Sequence, residues 1–312
     1  MRTTVGLRFL GTGGSVEYSK RPIDIPEQIS ILTSRGLVID SESFAQQQFS
    51  SISYFRLASY WKPFEIDLNA HLLAKGTSLN DILSLYTFDR ELRGIIFAAI
   101  QDIEIALRTR IIHHFSMKHG AFWFMDAAQF SDAEIFKKCL ISLQNEVGRS
   151  KEDFLLEHLK KYDSPSMPPV WKTLEVASFG TLSKLFCNMA DVSVKKLVAK
   201  SFGLPQYKYM ESWVRSITVL RNYCAHHARI WNRRFPLMPQ LPRHLSLAWI
   251  DTETAKPMKL YAQLSAILYL EQSIASNSAV KERLQVLLSG QPRSRLKAMG
   301  FPEDWQEQGL WS

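Results

Sequence analysis

The sequence predicts an all-α protein, and three observations carry that prediction. Apolar side chains recur three and four positions apart through most of the 312 residues, the spacing that gathers them on one face of a helix. No strand-type alternation of apolar and polar residues lasts more than a few positions. Proline and glycine clusters cut the chain into helix-length pieces.

Residues 1 to about 24 show no period and are expected to form a flexible tail. Gly11-Thr12-Gly13-Gly14-Ser15 within them lacks the Lys-Ser/Thr ending of a phosphate loop. A helix is expected from Pro26, where a first-turn proline is tolerated, through Ile29 and Leu32 to a break at Ser34-Arg35-Gly36. Ser41 to Tyr60 reads as a second helix, opening on Ser41 and Ser43 and ended by Pro63. The longest signal runs from about Leu79 to Lys118, with apolar residues at Leu92, Ile96, Ile100, Ile103, Leu107 and Ile111 and a stop at Gly120. Residues 132–162 suit a charged amphipathic helix, and Asp163–Pro169 a loop. Helices follow over Val170 to Met189, broken near Gly180, and over Val192 to Phe202; a connector at Gly203-Leu204-Pro205 leads to one from Tyr207 to Ile230. Pro236, Pro239 and Pro242 forbid a helix across the next stretch. A last amphipathic helix from Lys259 to Ala275, a charged one from Val280 to Leu288 and an irregular tail complete the chain. The expected organisation is a tail over 1–25, a helical domain over 26–275 and a C-terminal arm over 276–312.

A chain of this length buries about three quarters of its unfolded surface and needs no metal or disulfide framework to fold. Three cysteines without CxxC spacing fit a reducing compartment. No apolar run approaches the ~18 residues of a membrane span, so the cytoplasm is the expected location. Thirty-eight Lys and Arg against 30 Asp and Glu leave a net charge of +8, a field that attracts polyanions.

That charge is concentrated. Between Ser201 and Leu245 stand Lys208, Arg215, Arg221, Arg229, Arg233, Arg234 and Arg243 against Glu211 alone. Trp213, Tyr223 and Trp231 are interleaved with them, aromatic surfaces on which bases can stack. Arg221-Asn222 is followed, five positions after the arginine, by His226. A histidine exchanges a proton near neutral pH, and a guanidinium grips a phosphate and stabilises charge as it builds. Asn222 can orient the imidazole. These are the parts for cutting RNA without a metal, the ribose 2′-hydroxyl attacking its own phosphate. On a helix running to Ile230, Asn222, His226 and Arg229 share one face, while Arg221 stands about 140° from His226. The arginine must then reach round the helix or meet a second copy of the motif. The bland alternative is a polar helix surface with a chance spacing.

The stretch Leu220–His227, followed by Arg229-Ile230-Trp231-Asn232-Arg233, resembles the Abi family of AbiD/AbiF type, abortive-infection proteins of the HEPN superfamily. The likeness extends, in order, through Ile52–Trp61, Phe88–Arg93, Asp102–Arg108, Pro168–Trp171, Glu175–Leu185 and Met299–Trp305. It implies a HEPN-like helical bundle with additional helices, a role in phage defence, and an Arg-x4-His motif carried by Arg221, Asn222 and His226. It also implies a homodimer in which two motifs line one cleft, RNA as substrate, and a structured non-coding RNA as a further partner. Arg215, Arg229, Arg233 and Arg234 are expected to hold phosphates.

Other readings stand beside this one. The same residues could serve a non-catalytic RNA-binding module, or the amphipathic helices a membrane-active effector. Arg108/His113 and Arg110/His114 also have suggestive spacings, but Arg108 is better placed as the i+4 partner of Glu104, and Arg110 and His114 fall beside the apolar stripe. His113/His114 and Cys224/His226/His227 lack metal-site spacing, so no metal or other cofactor is expected.

Overall fold

The computed structural model describes residues 18–274 and 279–312. Residues 1–17, with most of the expected tail and its glycine-rich segment, lie outside the described residues, as does the 275/276 boundary. The fold is all-α: among the described residues there are thirteen α-helices, four short 3-10 turns and one two-stranded sheet. The chain divides into two compact units, one ending at Ser84 and one beginning at Leu85.

The first unit holds α1 (Ile25–Ser34), α2 (Glu42–Ser51), α3 (Tyr54–Trp61) and the start of α4 (Leu79–His119). Each of the first three begins at a side-chain cap, from Asp24, Ser41 and Ser53 to the N–H groups of Glu27, Phe44 and Arg56. The single helix expected over Ser41–Tyr60 is thus two. Ile52 adopts an extended backbone, and Ser53 caps the new helix. A small antiparallel hairpin, β1 (Glu65–Asp67) with β2 (Leu72–Leu73), follows, too short to register as a sequence period. Ile29, Leu32, Leu37, Phe49, Leu57, Tyr60 and Trp61 form the core of this unit.

In the second unit α4 ends at Gly120, whose φ of +81° supplies the left-handed turn that closes it. The predicted helix over 132–162 is α5 (Ala133–Arg149) and α6 (Asp153–Lys161). Between them Ser150 turns extended and its hydroxyl takes the Glu152 N–H at 3.3 Å, a local bond that competes with helix continuation. The Val170–Met189 segment gives a short α7 (Val170–Thr173) and α8 (Phe179–Asn188). Its break falls at Ala177-Ser178, where Ser178 caps α8, and Gly180 lies inside that helix.

Then come α9 (Val192–Ser201), α10 (Tyr207–Ala225), α11 (Leu260–Gln272), α12 (Val280–Ser289) and α13 (Arg293–Ala298). Helix α8 packs on α5 and α10, and α10 also packs on α9 and α11.

Helix α11 is not the amphipathic helix that its sequence suggested. Every residue from Leu260 to Glu271 is buried, the condition of a helix enclosed on all sides. Three of its polar side chains are tied internally: Tyr261 Oη donates to Gln308 Oε1 (2.7 Å), the Gln263 amide to the Leu237 carbonyl (2.9 Å) and Tyr269 Oη to the Gly203 carbonyl (2.8 Å). The arm residues Phe301, Trp305 and Trp311 are buried in an aromatic cluster with Tyr261, whose ring stacks on Trp311 at 5.9 Å. Gly300, at φ +90°, passes so close to Lys259 that a side chain there would collide with its Cβ. No described helix is long and apolar enough to cross a membrane.

Candidate functional site

Helix α10 carries the motif. Met210, Trp213, Val214, Ile217, Leu220 and Cys224 bury one face at spacings of three and four, and Trp213 anchors it by donating its indole N–H to the Gln240 carbonyl at 2.7 Å. The outer face leaves Arg215 and Asn222 exposed and Arg221 half-buried on the flank toward α4. Arg215 lies 3.6 Å from the Glu211 carboxylate, which also pairs with the buried Lys195 at 2.7 Å.

The helix stops at Ala225, five residues earlier than its apolar pattern suggests. His226 forms the cap, its main-chain N–H bonded to the Asn222 carbonyl at 3.0 Å, and its side chain is exposed. His227 adopts φ +55°, its N–H bonds Cys224 O and the Ala228 N–H bonds Tyr223 O (3.0 and 2.9 Å). This pair of bonds is the Schellman closure, here with a histidine in the left-handed position that glycine usually takes. Arg229 therefore leaves the helix, and the expected common face of Asn222, His226 and Arg229 does not form.

What holds the chain in this turn comes from α4. Asp89 is fully buried and ion-paired with Arg93 one turn on. Asp89 accepts the main-chain N–H of Trp231 at 2.7 Å and that of Ile230 at 3.3 Å, while Arg93 donates to the Ala228 carbonyl at 3.3 Å. One buried pair thus satisfies three main-chain groups of the segment just beyond the motif. Sequence reasoning assigned neither residue a role. The signal was present: opposite charges at i and i+4 lie within the apolar stripe of Leu85, Leu92 and Ile96.

Beyond the turn the basic residues gather. Arg233 is half-buried, its Nε donating to the Arg229 carbonyl at 2.6 Å and its guanidinium 4.2 Å from the centre of the Tyr223 ring. The Arg229 guanidinium lies 5.9 Å from the Trp231 ring centre, and Arg234 is exposed. Lys259, unforeseen from the sequence, donates to Asn232 Oδ1 (3.1 Å) and the Ala298 carbonyl (2.9 Å). Burial, then the charges of Arg234, Lys256 and Arg229, pull its pKa below the usual lysine value.

Arg221 stands apart from this group. Its guanidinium lies 5.7 Å from the centre of the Phe97 ring, at the edge of a groove of about 230 Å³ shared with Gln101, Glu104, Ile105 and Arg108 of α4. Arg108 is buried and pairs with Glu104 at 2.9 Å, as their i+4 spacing suggested, and it donates to the Ala177 carbonyl at 3.1 Å. Burial raises the Glu104 pKa against the opposing pull of Arg108 and Arg221. His226 and Asn222 do not line this groove, and among the described residues no side-chain hydrogen bond joins them. Arg110 is held by the carbonyls of Ser201 and Ser273 (both 2.9 Å) and lies over Phe202, a structural role; His113 is exposed, its ring 5.0 Å from that of His114. Among the described residues no group of three or more His, Cys, Asp or Glu side chains could hold a metal.

Comparison with known proteins gives one result. The family model described as Abi-like protein matches residues 47–232, which include α10, its closing turn and the Asp89–Arg93 pair. No curated protein and no solved structure matches. With well over half of its length matched by that family, the chain belongs to the Abi-like proteins.

Proposed function

We propose that the chain is an abortive-infection protein of phage defence, a HEPN-type domain that cuts RNA without a metal ion and works as a homodimer. One observation carries the reading: Arg221 and His226 of the motif make no side-chain hydrogen bond or ion pair with any described residue. Arg221 is half-buried and His226 exposed, so both keep their donors open to a ligand. Here the imidazole stands exposed at the end of α10 and the guanidinium edges a groove against α4, while Arg229, Arg234, Lys256 and Lys259 gather positive charge beyond the turn.

In the proposed reaction the imidazole of His226 removes the proton of a ribose 2′-hydroxyl. The oxygen attacks the adjacent phosphorus and the P–O5′ bond breaks. The leaving 5′-oxygen takes a proton from the imidazolium of the second motif, so that the products are a 2′,3′-cyclic phosphate and a 5′-hydroxyl. Arg221 stabilises the charge on the five-coordinate phosphorus, and Asn222 orients the base. Because Arg221 and His226 diverge round α10, a pair of motifs related by a twofold axis supplies what one chain separates.

The test is RNA incubated in EDTA with wild type and His226→Ala. Equal binding, with cyclic-phosphate ends from wild type and at least a hundredfold loss in the variant, supports the nuclease. A wild type that binds RNA and never cuts it supports the second reading, a binding module for a structured non-coding RNA. That reading is favoured by the divergence of the motif within one chain, since His226 does not line the groove that Arg221 edges.

A further inference from the structure

We propose that the groove between α4 and α10 is a base-reading subsite that takes a guanine next to the phosphate held by Arg221. The inference rests on the RNA reading above and extends it to the sequence of the substrate. At about 230 Å³ the groove falls below the ~300–1,000 Å³ of sites for drug-sized ligands, which suits one base. Its walls are those a base requires. Phe97 offers a half-buried aromatic face and Ile105 an exposed apolar edge, and stacking on such a face is worth about 1–3 kcal/mol per base whatever the base.

Identity is read by Glu104. One of its carboxylate oxygens takes the Arg108 bond at 2.9 Å, and the other has no donor among the described residues. An ionised carboxylate has about four acceptor positions, so Arg108 leaves most of them open. Guanine alone presents two parallel donors, N1–H and the 2-amino group, on its pairing edge; adenine, cytosine and uracil present one donor group each. Arg108 cannot turn away to leave Glu104 idle, since the Ala177 carbonyl fixes its guanidinium. Arg221, with its donors uncommitted, is left to hold the phosphate attached to that nucleotide.

The test is calorimetric titration of the full chain with guanosine, inosine, adenosine, cytidine and uridine monophosphates, without RNA and without turnover. Guanosine monophosphate is expected to bind at least tenfold more tightly than the adenosine, cytidine and uridine compounds. Inosine monophosphate, which lacks the 2-amino group, should fall between. Glu104→Gln should bring guanosine and adenosine monophosphates within twofold of each other. Equal binding of the two by wild type overturns the proposal with no recourse to a variant, and so does a folded Glu104→Gln protein that keeps the preference. A protein that prefers guanosine monophosphate but cuts no RNA would leave the subsite standing and remove the nuclease. One that cuts without base preference would do the reverse.

Discussion

Removing the Asp89 carboxylate should be among the most damaging single changes outside the apolar core. Asp89→Ala leaves the Arg93 guanidinium, 5% exposed, without its counter-charge. Breaking one partner of a buried pair costs about 3–5 kcal/mol. The Ile230 and Trp231 N–H groups also lose their acceptor, at about 1–3 kcal/mol for each buried group left unpaired. These costs overlap because the freed segment relaxes, so a loss of about 4 kcal/mol is expected. Urea unfolding at unchanged m-value measures it. Asp89→Ala combined with Arg93→Leu should recover about 2 kcal/mol, since the stranded charge is then gone. Hydrogen exchange supplies the local check: the Ile230 and Trp231 amides should lose protection in Asp89→Ala before those of α11 do. A variant within about 1 kcal/mol of wild type, or one whose Trp231 amide stays protected, would refute the view that this pair holds the turn beyond the motif.

Three further outcomes follow from the geometry. Arg234 is exposed whereas Arg233 is tied to the Arg229 carbonyl, so Arg234→Ala should flatten the salt dependence of single-stranded RNA binding by about 0.7 in log–log slope, and an unchanged slope removes Arg234 from the interface. Asp191 caps α9 and pairs with Lys118 (2.6 Å) and His119 (2.7 Å). Burial opposes its charge, yet the hydrogen bonds from Lys118, Ser193 and His119 prevail and hold its pKa well below the ordinary 3.8. That stabilisation is present above pH 3.8 and is lost as pH falls through the folded-state value. Asp191→Ala should therefore cost at least about 1 kcal/mol at pH 7, with the gap to wild type closing in acid, as thermal melts across pH 2–7 would record. Burial pushes the Cys187 thiol up to about 11 and that of Cys224 up to about 12, so neither should react with a thiol reagent at pH 7.5 until the chain unfolds; rapid native labelling of Cys224 would contradict its packing on α10.

How legible the molecule was depended on the range of the interaction concerned. The spacing of three and four along Leu92–Ile111, the stop at Gly120 and the Glu104–Arg108 pair are settled within a few residues of chain, and each could be read from the sequence. The breaks at Ile52-Ser53, Ser150 and Ala177-Ser178 were harder, because an apolar period passes across them while a serine side chain ends or restarts the helix. Arg221, Asn222 and His226 could be found as a motif. Their separation, with the arginine against Phe97 and Glu104 and the histidine on the closing turn, could be anticipated only in part from the helical wheel.

Local sequence is enough to set the helical class, most helix positions, the run of positive charge and the motif at the end of α10. These follow from local periodicity and caps, whose energies involve residues a turn or so apart. Packing between distant segments is what encloses α11 on every side, stops α10 at Ala225 and brings Asp89, Arg93 and Lys259 against the segment beyond the motif. Those outcomes depend on groups distant in sequence, Asp89 meeting Trp231 across 142 positions, and a buried charge finds its partners only when the chain between them has folded.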